Sequence, residues 1–413
     1  MAELTAAPIR EHCGRDATLR RLPNGATVVA LYRPTAMNDT VTLSIGAGMR
    51  DELPGEEGMM HLIEHMVYQD SNTISGTTRQ RDVARAGATL GGHTHMDYTE
   101  FFETGSTEGL QIVAQRLVDQ VFFPAFVEQQ VEEQIVAVAT ERQQRLAPTP
   151  GQRLPWPHLS GMYWADHANG HDGSGDMGLR GRATVEALRA LHQRTYRVSD
   201  AVLVAQTAQA PQATLETLAA TLAPIRTPAG QPQPPRPAAT VADAVARHAE
   251  VIGGNKPRSI AVTQLSPATH ITQELLGELL VAELLAIQPD LDASAGLFGP
   301  ADLNEHDLLV IVDDSGLVVQ PQDRISALRA AGQELICYAA TRAAFRAEGL
   351  IRHDEKRVRT VARDVLLRGS VTFAGELVES LIELADAPDD AQQMLASTCL
   401  RLSNQPYATL TIT

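Results

Sequence analysis

Apolar and polar residues alternate from the start of the chain. Two alternating runs, 17–22 and 26–32, flank Pro23-Asn24-Gly25, a combination that folds one strand back on another, and 39–45 adds a third. The period then lengthens. Apolar positions three and four apart predict helices at 58–68 and 78–86, and two short β runs follow at 89–95 and 98–104. Helical periodicity returns at 108–121 and 127–146. A Pro- and Gly-rich stretch from Pro148 to Arg182 reads as a surface flap, and after it come a helix at 183–196 and an apolar strand at 201–205.

Proline then interrupts the pattern. Pro224, Pro228, Pro232, Pro234, Pro235 and Pro237 each fix φ and remove a donor, so this stretch reads as a linker between two domains, 1–223 and 241–413, with 224–240 between them. The second half predicts strands at 259–265, 307–312 and 408–412 and a helix at 271–287, with further helices between the last two strands. Leu275, Leu276, Leu279, Leu280, Leu284 and Ile287 give that helix an apolar stripe, expected to face a core. The expected fold class is α+β: two related domains, each a mainly antiparallel sheet covered by helices.

Composition narrows the function. The chain has 413 residues and a formal charge of −16, which would repel a phosphate backbone, so nucleic acid is not expected as a partner. The most apolar stretch, 275–287, is broken by Glu278 and Glu283, and residues 1–10 lack the basic cluster and apolar run of a secretory signal; neither a membrane span nor export is expected. Cys13, Cys337 and Cys399 are too widely spaced for a disulfide framework or a zinc knuckle, which fits a reducing, cytoplasmic compartment.

The chemistry lies in His61-Leu62-Ile63-Glu64-His65. At about 100° per residue, His61 and His65 project about 40° apart and Glu64 about 60° from His61, so all three share one helix face. Two imidazoles one turn apart can hold Zn²⁺ together, while the carboxylate beside them can serve as a base without ligating the ion. A third protein ligand is required, and the hydrolytic type of site prefers a carboxylate from elsewhere in the fold.

This inverted H-x-x-E-H order resembles the pitrilysin and mitochondrial processing peptidase family, the inverzincins. The resemblance implies a third ligand on a later helix, and Glu141, 76 residues beyond His65, takes that place; Glu132 and Glu133 are its rivals should the register slip. An acidic residue usual in the family seven positions earlier is Gln134 here, two turns away on the same face. Residues 91–101 resemble the family's sheet-edge strand, along which substrates add as an extra strand, with Gly91 and Gly92 in place of Asn and Ala; Gly91, Gly92 and His93 are the implied substrate-binding positions. His93 and His95 lie on one face of that strand and are expected to be solvated. His158, His167 and His171 are irregularly spaced and are assigned to the flap.

The resemblance covers about 17–206 and implies one half of a clamshell whose first domain is catalytic: a zinc metalloendopeptidase with one Zn²⁺ per chain and Glu64 as general base, acting on unfolded peptides or leader segments. The Arg and Tyr that the family's second domain commonly brings to the substrate carbonyl are not recognisable around 294–300. That gap implies a heterodimer with a related subunit lacking the metal motif, a homodimer being the alternative. The rival function is a non-catalytic, peptide-binding scaffold subunit of a processing complex.

Overall fold

The computed structural model of the chain describes residues 16–106, 108–146, 156–226, 238–243, 248–251, 258–266, 271–296, 303, 306–317 and 319–412. The Pro-rich centre of the expected linker (227–237), the first part of the expected flap (148–155) and 297–300 lie outside them.

In the first half, β1(Ala17–Arg21), β2(Thr27–Tyr32), β3(Asp39–Ile45), β4(Thr89–Thr94), β5(Thr99–Ser106) and β6(Ala201–Thr207) form one sheet in the order β1-β2-β6-β3-β5-β4. Only β2 and β6 pair in parallel. Its first turn works as the sequence requires. Gly25 adopts φ +93°, and the Asn24 side chain donates to Leu222 O at 3.0 Å while accepting from Ala26 N at 3.3 Å. The helices of this half are α1(Met59–Val67), α2(Gly76–Arg85), α3(Leu110–Phe122), α4(Glu128–Leu146), α5(Trp156–Tyr163), α6(His167–Gly170), α7(Val185–Thr195) and α8(Pro211–Leu222). Helices α1, α3, α4, α7 and α8 bury apolar stripes together with Val28, Val41, Leu43, Ile45, Phe101 and Leu203 of the sheet.

The second half repeats the scheme with β7(His248–Val251), β8(Arg258–Gln264), β9(Leu291–Ala295), β10(Leu308–Asp313) and β11(Ala408–Ile412), ordered β7-β11-β8-β10-β9 and antiparallel except for β7 with β11. Strands β7 and β9 fall where the sequence pattern predicts none. Its helices are α9(Gln273–Ala286), α10(Pro321–Ala327), α11(Gln333–Arg352), α12(Asp354–Arg368), α13(Phe373–Asp386) and α14(Pro388–Ser403). Helix α9 is more than a striped helix, because every residue from Leu275 to Leu285 is buried, both glutamates included. Each glutamate is satisfied by arginine: Glu278 by Arg401 and the Ser266 amide, Glu283 by Arg342 and Arg346. No helix among the described residues is long and apolar enough to cross a membrane.

Each sheet has its second face covered by a helix from the other half. Helix α12 lays Val358, Val361, Ala362 and Val365 on Val29, Leu31, Val202 and Val204 of the first sheet. Conversely, Leu159, Met162 and Tyr163 of α5, with Trp164, pack on Ile260, Val262, Leu308, Val310, Ala408 and Leu410 of the second. Residues 159–164 of the 148–182 stretch therefore form a cover and not a surface flap. Its apolar residues find their partners about 100 to 250 residues further along the chain, where local pattern cannot show them.

Candidate metal centre

Helix α1 owes its position to packing along most of its circumference. Met59, Met60, Leu62, Ile63, Met66 and Val67 enter the core, which leaves His61, Glu64 and His65 on the remaining face. Both ends are tied. At the N-terminus the buried Glu52 carboxyl accepts from Met60 N at 2.6 Å and Gly58 N at 3.0 Å, and His171 Nε2 lies 2.7 Å from it. Burial holds the Glu52 pKa above its ordinary value despite these partners. At the C-terminus the buried Arg79 donates to Val67 O at 3.2 Å and Gln69 O at 2.8 Å, satisfying carbonyls the helix leaves open.

Helix α4 brings Glu141 to the same place by burying Val131, Ile135 and Val138. Glu141 Oε2 lies 3.6 Å from His61 Nε2 and 3.4 Å from His65 Nε2, and the three ligand atoms all fall within 4.8 Å of one another. Tetrahedral bonds of about 2.1 Å would set two ligand atoms about 3.4 Å apart, so the separations and the two-imidazole, one-carboxylate chemistry fit a zinc ion. No other such group of His, Cys, Asp and Glu occurs among the described residues. Glu132 and Glu133, the rivals of Glu141, are exposed and engaged elsewhere, with Arg180 at 3.2 Å and Gln129 at 3.0 Å.

Hydrogen bonds orient both imidazoles. His61 Nδ1 donates to Ser174 O at 2.7 Å and His65 Nδ1 to Gln134 Oε1 at 3.1 Å, which turns both Nε2 atoms toward Glu141. Gln134 thus occupies the place foreseen for an acidic residue and supplies a neutral acceptor. The adjacent His61 and His65 imidazoles hold the Glu141 carboxyl well below the usual carboxylate range, with Arg145 adding to the effect. Burial opposes the protonation of His61, yet Glu141 and Glu64 keep its pKa above the ordinary imidazole value. Glu64 stands outside the converging trio: it is buried, and its Oε2 accepts from Thr94 Oγ1 at 2.8 Å.

Strand β4 lies at the sheet edge, where the sequence places it. Its two glycines answer to neighbours that leave no room for a side chain. A Cβ at Gly91 would come within 2.2 Å of Phe102 Cζ, and one at Gly92 within 2.5 Å of Tyr68 Oη and 3.3 Å of Glu64 Oε1. His93 is exposed as expected. His95 departs from expectation: it stacks on Tyr98 at 4.3 Å and sits 3.5 Å from the buried Glu100. Burial alone would raise the Glu100 pKa, but His95 and Arg359 bring it down to about 2, and the Arg359 guanidinium, from α12, also lies over the Phe102 ring at 4.4 Å.

Of the flap histidines, His158 is exposed, while His167 and His171 stack in parallel at 4.4 Å and each meets a glutamate, Glu57 at 2.9 Å and Glu52 at 2.7 Å. Glu52, Thr94, Ser174 and His171 complete the surroundings of the centre; Thr94 falls within the edge segment 91–101, and the other three escape a reading by motif. Ser174 acts through a backbone carbonyl and Glu52 on backbone amides, which no residue type marks, while Thr94 and His171 meet their partners across longer stretches of chain.

Residues 27–153 match the family described as Insulinase (Peptidase family M16), so the first half carries a peptidase M16 family domain. The chain is 26% identical over 111 residues to the uncharacterized zinc protease YmxG of Bacillus subtilis, covering 27% of each chain. It is 30% identical over 87 residues to the mitochondrial-processing peptidase subunit beta of Neurospora crassa, covering 21% of this chain and 18% of that one. The matched parts therefore span less than a third of these relatives. Among solved structures, a protease from Helicobacter pylori superposes with a TM-score of 0.73 at 13% identity, over 96% of this chain and 99% of that one. An M16-like peptidase from Alicyclobacillus acidocaldarius, described as putative, gives 0.72 at 17%, over 96% and 98%. The fold is shared over nearly the whole chain.

Proposed function

We propose that this chain is a zinc-dependent endopeptidase for unfolded peptides or leader segments, and that it works as the metal-bearing subunit of a two-subunit protease. The observation that carries the reading is the convergence of His61 Nε2, His65 Nε2 and Glu141 Oε2, with the Glu64 carboxylate beside them and outside the trio. In this reading His61, His65 and Glu141 hold one zinc per chain, residues 1–223 form the catalytic domain, 224–240 the linker and 241–413 the second domain. Bound zinc supplies Lewis acidity, which polarises a peptide carbonyl and favours attack by water at neutral pH.

The chain's own residues do the rest. Glu64 takes the proton from the attacking water and returns it to the leaving amine, while Thr94 Oγ1, donating to its Oε2, fixes which oxygen is free to do so. The outer edge of β4 at Gly91, Gly92 and His93 accepts an extended peptide as an added strand. Backbone pairing of that kind asks for an unfolded segment and little sequence. A second subunit is supported by the Neurospora crassa relative, which is named as a subunit, and by the lack of a recognisable Arg and Tyr pair around 294–300.

Metal analysis and peptide cleavage by wild type and Glu64→Gln test the proposal. Wild type should carry one zinc per chain; Glu64→Gln should keep that zinc and lose cleavage by about 10²–10⁴-fold. Cleavage by the variant near the wild-type rate overturns the base assignment. Full activity of the isolated chain, with no gain on adding a related subunit lacking the motif, overturns the divided arrangement in favour of a chain acting alone or as a homodimer.

A further inference from the structure

The loop after α6 touches both helices of the centre. Asp172 Oδ1 accepts from Ser174 N at 2.9 Å and from Ser174 Oγ, closing a tight turn whose Ser174 carbonyl receives the His61 proton at 2.7 Å. Asp172 Oδ2 accepts from Arg142 Nε at 2.9 Å and Nη2 at 2.7 Å, and Arg142 is the residue next to Glu141 on α4. One carboxylate therefore touches the partner of one imidazole with one oxygen and the neighbour of the converging carboxylate with the other.

The turn itself cannot drift. A Cβ at Gly173 would meet Met49 Cγ at 2.6 Å, and one at Gly175, where φ is +77°, would meet Val138 Cγ1 at 2.7 Å. Gly173, Ser174 and Gly175 are all buried, whereas Asp172 and Arg142 are only partly so. The backbone of the turn is thus held by packing, and what the Asp172 side chain adds is the link between that fixed turn and α4.

We propose that Asp172 is a positioning residue for the metal centre. Through Arg142 it sets the place from which Glu141 projects, tying α4 to the packed turn whose Ser174 carbonyl orients His61. It keeps the two helices' ligand atoms at bonding separation without touching the ion. This rests on the reading of His61, His65 and Glu141 as the metal-holding set.

Asp172→Asn tests it, because it preserves volume and leaves an oxygen for the turn but sets an amide NH₂ against the guanidinium. Zinc affinity of the purified chain, measured by chelator competition, should fall 10–100-fold, the range typical of residues that orient metal ligands. The melting temperature of the chelator-stripped protein should stay at the wild-type value. Arg142→Gln should lower affinity to a similar extent, and the double variant should lose little beyond either single one, since both act through one contact. With cobalt in place of zinc, the visible spectrum of Asp172→Asn should change in shape as the ligand geometry relaxes. Wild-type zinc affinity in both single variants overturns the proposal, as does a lower melting temperature of the stripped protein with affinity intact, which would make Asp172 a residue of the fold alone. Should wild type itself bind no zinc, the reading of the centre fails first and separately. Arg142→Gln keeps the test decisive if Asp172→Asn does not fold.

Discussion

Gly58 and Gly175 cross with their backbones in contact: a Cβ built on Gly58 would lie 2.4 Å from Gly175 Cα and 2.8 Å from its nitrogen. Gly58 begins α1 and Gly175 follows the residue whose carbonyl holds His61, so this crossing sets the distance between a candidate ligand and its orienting group.

Gly58→Ala should be costly for two reasons. The residue has φ +86°, where a Cβ is strained by about 1 kcal/mol, and relieving the overlap with Gly175 adds about 1–3 kcal/mol. Urea unfolding should show a loss of about 2–4 kcal/mol with the slope of the transition unchanged. Wild-type stability in this variant would mean that the crossing relaxes freely.

Gln134 offers His65 a neutral oxygen, so Gln134→Glu should make the imidazole more basic and tighten zinc binding, by about tenfold. Gln134→Ala should weaken it. Titration against a chelator of known affinity measures both, and an unchanged constant in the Glu variant would show that the contact is geometric and carries no electrostatic weight.

His192 supplies a pH dependence away from the centre. Its Nε2 donates to Val121 O at 2.8 Å, its ring stacks on Tyr196 at 4.5 Å, and burial depresses its pKa from 6.5 to about 4. The unfolded chain binds this proton near pH 6.5 and the folded one only near pH 4, so stability is full above pH 6.5 and lost as the pH falls between the two. The loss amounts to about 3 kcal/mol. Urea unfolding at pH 7 and pH 4 should show His192→Gln less stable than wild type at pH 7 but less sensitive to acid by about that amount. Equal sensitivity in the two proteins would place the titration elsewhere.

What the sequence makes legible follows from the range of the interactions. His61, Glu64 and His65 share a helix face because their spacing is local, and β4 is found from its alternation and from its likeness to a known edge segment. Glu141 needs that likeness too, since nothing in its own helix separates it from Glu132 or Glu133 until packing turns those outward. Strands β7 and β9 are too short for periodicity to reveal. Glu52 and Asp172 act on groups far along the chain or on backbone atoms, which carry no residue identity.

The exchange of covers between the two halves bears on how a peptide could enter. Swinging one half away from the other would put α12 and α5 into water together with the strands beneath them. The eight aliphatic side chains of the α12 contact alone represent on the order of 10 kcal/mol of burial. A breathing motion within the chain is closed off by that interlock. In the proposed two-subunit arrangement, admission of an extended segment to the rim of β4 would then depend on the partner subunit and not on opening within this chain.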